Sequence, residues 1–341
     1  MTTFLGVLFV AVAGLLSGTG AWPIKMVKRL KFEHWWFAGM LTGLIVIPWA
    51  TVLICCPHAF AAYGSVPASV LIRANAFGLA WGLANLLYGI CLVRVGVALS
   101  GSIVAGLGVS VGAILPMIVK GSGKFHDAPD IASRAGLTVL AGVAVMLIGV
   151  VLVGLAGLGR DKVQSAGKKP SGGIVLNLIL CAISGITSCG FSLSFVYAQG
   201  PIVAAMKAAG AADVPANLAV WAGAIAGGAL LNVIYPACMI SRKRSWGVFV
   251  SSPIETALAA FTGVQMIVGA ILMGKGMILL GALGASVGFG IQQAMQMTGN
   301  QGLGFISGEW RGVRGRPLKF MIAAIGVLVL AAVIMAYGNA L

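Results

Sequence analysis

The chain has 341 residues, 60% of them hydrophobic and 9% charged, with 50 glycines and a mean hydropathy of +1.04. Soluble domains run at about 45–50% apolar and about 25% charged, so polar side chains are too few to cover a water-facing surface, which excludes a soluble enzyme or binding module. The formal charge of +15, from 22 Lys and Arg against 7 Asp and Glu, therefore reads along a membrane and not onto nucleic acid.

The hydrocarbon layer of a bilayer takes about 20 apolar residues as a helix. Runs of that length bounded by charges or turn residues predict ten spans, approximately 3–23, 35–57, 70–93, 95–119, 135–158, 172–199, 214–240, 250–274, 276–307 and 318–339. Only Arg94 and Lys275 separate the third span from the fourth and the eighth from the ninth. The odd connections hold 16 basic residues: Lys25, Lys28, Arg29, Lys31, Arg94, Arg160, Lys162, Lys168, Lys169, Arg242, Lys243, Arg244, Arg311, Arg314, Arg316 and Lys319. The even ones hold six: Arg73, Lys120, Lys124, Arg134, Lys207 and Lys275. Cytoplasmic loops collect Lys and Arg, so the odd connections are expected in the cytoplasm and both termini in the periplasm. The basic residues follow the first span instead of preceding it, which marks a retained helix and not a cleaved signal peptide. Cys55, Cys56, Cys91, Cys181, Cys189 and Cys238 lie in or at the ends of spans without Cys-x-x-Cys spacing. They read as buried small hydrophobes, neither a metal site nor a disulfide framework.

The polar fifth connection divides the chain into residues 1–159, a cytoplasmic linker 160–173, and 174–341. Five helices is an odd number, so the second set enters the membrane from the opposite side, as in an inverted repeat. The expected fold is an all-α membrane protein, ten transmembrane helices arranged as a 5+5 inverted repeat. Both sets open with a helix carrying a Ser-Gly step, Ser17-Gly18 and Ser184-Gly185, and the fourth and ninth spans are rich in glycine (Gly101, Gly106, Gly108, Gly112; Gly281, Gly284, Gly288, Gly290). In lipid, small residues let helix backbones touch, as sliding helices around a path or as static packing.

Polar groups at membrane depth are costly unless they face protein or water, which makes them site candidates. Trp81, Asn85 and Tyr88 share one face of the third span. An aromatic ring beside an amide suits a sugar, which stacks its C–H face and pairs its hydroxyls; interhelical bonding and ordinary packing are the plain alternative. Gln292, Gln293, Gln296 and Asn300 place four carboxamides within nine residues, more than packing needs, and read as a pathway lining. Ser184, Thr187, Ser188 and Ser192 rank lower, since hydroxyls can bond their own helix. Asn232 fits either role, while Trp221 and Tyr235 read as interfacial anchors. The acids fall in loops except Glu255, where Ser252-Pro253-Ile254-Glu255 matches a capping box. His34, His58 and His126 sit at edges or in loops. Clustered acids and histidines for enzyme or metal chemistry are missing from the spans, as are charged rings for an ion channel. No cofactor is implied, and a path for a neutral polyhydroxylated solute fits.

These residues carry a resemblance. Pro23, Lys25, Lys28, Glu33, Trp36, Pro48-Trp49, Trp81-Gly82, Asn85, Tyr88-Gly89 and Pro116, then Asn232, Glu309-Trp310 and Arg316-Pro317, together resemble the L-rhamnose–proton symporters of the drug/metabolite transporter superfamily. The resemblance implies ten helices, inward solute transport across a bacterial inner membrane, and a proton as second partner; alternating access between the two five-helix repeats is the expected way of working. Trp81, Asn85, Tyr88, Asn232, Gln292 and Gln296 are the expected solute contacts. A metabolite or drug exporter, an uncoupled sugar facilitator and a membrane scaffold are the competing expectations; the short connections disfavour the last.

Overall fold

The computed structural model of the chain describes residues 2–20, 22–94, 97–126, 128, 130–164 and 174–338. Most of the expected linker, residues 165–173, with Lys168 and Lys169, lies outside the described residues, as does Asp127. Lipid offers backbone groups no partner, so each must be bonded within its own segment, and the regular structure of the described residues is helical. The long helices are α1 (Thr2–Thr19), α2 (Phe32–Cys55, with a π-helical stretch over Leu41–Val46), α3 (Ala68–Arg94), α4 (Val97–Ile118) and α5 (Arg134–Gln164). They continue as α6 (Ile174–Ser188 and Gly190–Ala208), α7 (Asp213–Ala224 and Ala226–Arg242), α8 (Pro253–Leu280), α9 (Gly284–Ile306) and α10 (Arg316–Gly338). Large apolar side chains such as Ile54, Val175, Ile322 and Val333 point outward, while alanines and small residues fill the interior, the reverse of a water-soluble surface.

Among the described residues, eight segments are long and apolar enough to cross a membrane, or nine when the two arms of α7, bent by 61°, count as one. One of the eight, Pro253–Ile306, has 54 residues, about 80 Å if straight. It folds back over Gly281–Leu283, where Gly281 at φ 75° ends α8. The reversal was expected at Lys275, which instead lies within α8: a lysine stem can run along a helix, whereas a positive φ selects glycine. α6 also passes its expected end at Gln199 and runs through Pro201 to Ala208.

The helices pair in a regular pattern. α1 packs on α8 and α9, and α6 packs on α3 and α4; α3 packs on α7, and α2 on α8. α4 lies against α5 and α9 against α10, while α2–α7, α4–α9 and α5–α10 are direct partners. Several crossings depend on glycine. A methyl group on Gly228 would strike the Gly78 carbonyl, one on Gly263 the Gly39 carbonyl, and one on Gly18 the Gln296 carbonyl. These crossings bring α3 onto α7, α2 onto α8 and α1 onto α9 closely enough for backbones to touch.

At the end carrying the odd connections, polar ties join distant segments. Glu33, in the first turn of α2 and buried, accepts from Lys243 Nζ at 2.7 Å, and His34 Nε2 lies 2.9 Å from Ser245 Oγ. Arg160 of α5 pairs with Glu309 at 3.0 Å, its guanidinium 5.6 Å from the Trp310 ring. The Glu255 carboxylate accepts the backbone N–H groups of Lys28, Arg29 and Leu30 at 3.2, 2.8 and 3.0 Å. This corrects the capping-box expectation: the Ser252 N–H is already bonded to Val248 O and its hydroxyl caps nothing, so Glu255 turns to the loop between α1 and α2. The six cysteines are free, but Cys55 and Cys238 are exposed, not buried as expected.

Candidate functional site

Asn232, wholly buried on α7, joins three helices. Its Oδ1 accepts from Asn85 Nδ2 of α3 at 3.3 Å and from Trp36 Nε1 of α2 at 3.2 Å, and its Nδ2 donates to Gly228 O at 2.9 Å. A buried carboxamide without partners is costly in an apolar interior, and here each bond contributes about 0.5–1.5 kcal/mol net. The structure thus brings together two predicted residues, Asn85 and Asn232. Trp36 joins them; the family resemblance had marked it, but without assigning it a role.

One turn before Asn85 on the same face, Trp81 opens a run of rings. Its centroid is 4.8 Å from Phe191, which is 4.6 Å from Trp221, which is 4.7 Å from Phe195. Trp221 is 1% exposed, so the expectation of an interfacial anchor fails: the bend in α7 turns its first arm inward and takes the indole into the centre. Beside the rings is a void of about 10 Å³ lined by Gly43, Pro48, Phe191, Trp221, Ile225 and Met266 among others. It has room for about one water, whereas sites for small organic molecules occupy about 300–1,000 Å³.

The remaining predicted residues lie elsewhere. Tyr88 is half-buried further along α3, its hydroxyl facing Gly101 of α4. Gln292, buried on α9, donates to Gln296 Oε1 at 3.1 Å and to Ser17 Oγ of α1 at 3.4 Å; Asn300, on the same face, is exposed. The glutamines therefore form a second polar cluster, between α1 and α9. Of the α6 hydroxyls, Thr187, Ser188 and Ser192 bond carbonyls of their own helix, as expected, whereas Ser184 donates to Ala84 O of α3 at 2.8 Å. Gln265, which sequence reasoning left without a role, ties α8 to the end of α1 through Trp22 Nε1 (3.0 Å), Leu16 O (2.7 Å) and Thr19 Oγ1 (3.1 Å).

Asn75, one helical turn before Leu79 on α3, was overlooked. Its carboxamide bonds Gly223 O at 2.8 Å and Gly227 N at 3.0 Å, on the two sides of the α7 bend. The signal available was an amide in an apolar run; the glycines it meets are 148 and 152 residues away. Among the described residues no group of His, Cys, Asp or Glu is placed to hold a metal ion. The arrangement offers amide donors and acceptors beside a wall of aromatic rings.

The chain matches the family model of the L-rhamnose-proton symport protein over residues 2–341. It is 25% identical to the L-rhamnose-proton symporter of Shigella dysenteriae over 325 residues, 93% of each chain, and 25% identical to that of Pectobacterium atrosepticum over 327 residues, again 93% of each. It is 28% identical to the L-rhamnose-proton symporter of Yersinia pestis bv. Antiqua over 231 residues, 68% of this chain and 66% of the relative.

Proposed function

Because the chain belongs to the L-rhamnose–proton symport protein family, a family of transporters and not of enzymes, we propose that it imports L-rhamnose or a closely similar neutral sugar together with protons. The observation that carries this reading is the buried Asn232, bonded to the half-buried Asn85 and Trp36 beside the Trp81–Phe191–Trp221 ring wall. A sugar presents hydroxyls to the first and a C–H face to the second. Trp81, Asn85 and Asn232 make the primary contacts; Tyr88, Gln292 and Gln296 line the way to and from them.

Transport is by alternating access between two repeats of five helices. The pairing of helices supports this: advancing each number by five turns α1–α8 and α1–α9 into α6–α3 and α6–α4, α3–α7 into α8–α2, and α4–α5 into α9–α10, while α2–α7, α4–α9 and α5–α10 map onto themselves. The α6–α7 contact is the most extensive of the few without a counterpart of similar extent. Counting Pro253–Ile306 as two and the bent α7 as one supports a reading of ten spans. The small central void supports an occluded arrangement that must open to admit a sugar. The basic residues of the odd connections support a bacterial inner membrane with both termini in the periplasm. Uptake of labelled L-rhamnose into proteoliposomes tests the reading. Accumulation driven by an inward proton gradient and abolished by its collapse is expected, and uptake indifferent to the gradient overturns the coupling. Absence of uptake overturns the sugar.

A further inference from the structure

In a continuous α-helix the N–H of Gly227 would donate to the carbonyl of Gly223, four residues earlier. In α7 that bond is replaced by the side chain of Asn75: Oδ1 accepts from Gly227 N at 3.0 Å, and Nδ2 donates to Gly223 O at 2.8 Å and to Leu71 O of its own helix at 3.0 Å. A group inserted into the hydrogen-bond ladder kinks a helix, and the arms on either side of Ile225 diverge by 61°. The insertion is possible because Gly78 and Gly82 of α3 let its backbone rest on Ile225 and Gly228.

Two arrangements satisfy both backbone groups. With the carboxamide inserted, α7 is bent; with it withdrawn, the direct Gly227–Gly223 bond closes and α7 is straight. Neither leaves the Gly227 N–H or the Gly223 carbonyl unpaired in an apolar interior, where such a group is costly. An element with two discrete forms, each of which satisfies these two groups, is what a conformational cycle requires. The arms carry Trp221, on the ring wall, and Asn232, in the amide cluster. We propose that Asn75 is a positioning residue of transport: inserted, it holds α7 bent so that Trp221 and Asn232 face one central space, and withdrawn as α3 shifts, it lets α7 straighten and parts them. The link to uptake rests on the sugar reading above; the link to the shape of α7 does not.

Spin labels at Val214→Cys and Ser241→Cys, with the natural cysteines replaced by alanine, report the span of α7. Straightening a 61° bend lengthens that distance by about 5 Å. In Asn75→Ala, the longer distance is expected in protein that remains inserted and monodisperse, because the direct bond replaces the lost ones, with L-rhamnose uptake at saturation reduced about tenfold or more. An unchanged distance in Asn75→Ala overturns the proposal, as does a longer distance with wild-type uptake. Should that variant fail to insert, the labelled Asn75-containing protein decides. Two populations about 5 Å apart, shifting when L-rhamnose is added, support the proposal, and a single unshifting distance overturns it. Absence of uptake by the parent protein overturns the sugar reading instead, and is told apart because the Asn75→Ala distance is compared without sugar.

Discussion

Asn232 is where one atom serves three helices, and its removal separates structural from functional contributions. Asn232→Leu leaves the Trp36 indole N–H and the Asn85 amide without their shared acceptor, at a cost of about 1–3 kcal/mol, so the detergent-solubilised protein should melt several degrees lower. Asn85→Ala removes a donor but leaves Asn232 bonded to Trp36. Its expected outcome is an inserted, monodisperse protein whose half-saturating L-rhamnose concentration rises about tenfold, as when a polar contact of about 1.4 kcal/mol is lost; unchanged uptake kinetics would remove Asn85 from the site. The individual polar residues were legible because an amide in an apolar helix stands out. Their partners were not: nothing in the order of residues states that Trp36 points at Asn232, or that Gln292 and Gln296 meet Ser17 and not the α3 cluster.

Among the elements, the glycine crossings decide how close helices come. Gly228→Ala places a methyl group against the Gly78 carbonyl, and overpacking of this kind costs about 1–3 kcal/mol. The expected result is a lower melting temperature and slower uptake, with Gly247→Ala, whose new methyl would meet nothing within 4 Å, as the neutral control. Long helices were readable from hydropathy, because lipid leaves the backbone few alternatives. The bend in α7 was not, since its cause lies in another helix, and with it went the burial of Trp221. The α8–α9 reversal was misplaced for a different reason: charge was taken as the boundary when backbone geometry at Gly281 sets it.

For the whole molecule, ties between distant segments hold the end bearing the odd connections. Glu33 is 5% exposed in its side chain while Lys243 is 50% exposed, so the pair is half-screened and its worth is less than that of a fully buried one. Lys243→Met nevertheless strands a buried carboxylate, and a loss of about 1–3 kcal/mol is expected by thermal melting. Glu255→Gln should be milder, since an amide oxygen still accepts from the Arg29 and Leu30 N–H groups and only the longer Lys28 bond is lost; a loss equal to that of Lys243→Met would argue against this account. The count of basic residues along the chain gave no hint of these pairings, which join segments more than 200 residues apart.

The carboxamide lodged between Gly223 and Gly227 also bears on how the chain is made. α3 precedes α7 in the chain, so the group that bonds both sides of the α7 bend comes from a segment synthesised earlier. α7 thus takes part of its form from a helix made before it, and a segment carrying α7 alone would lack the group seated at its bend.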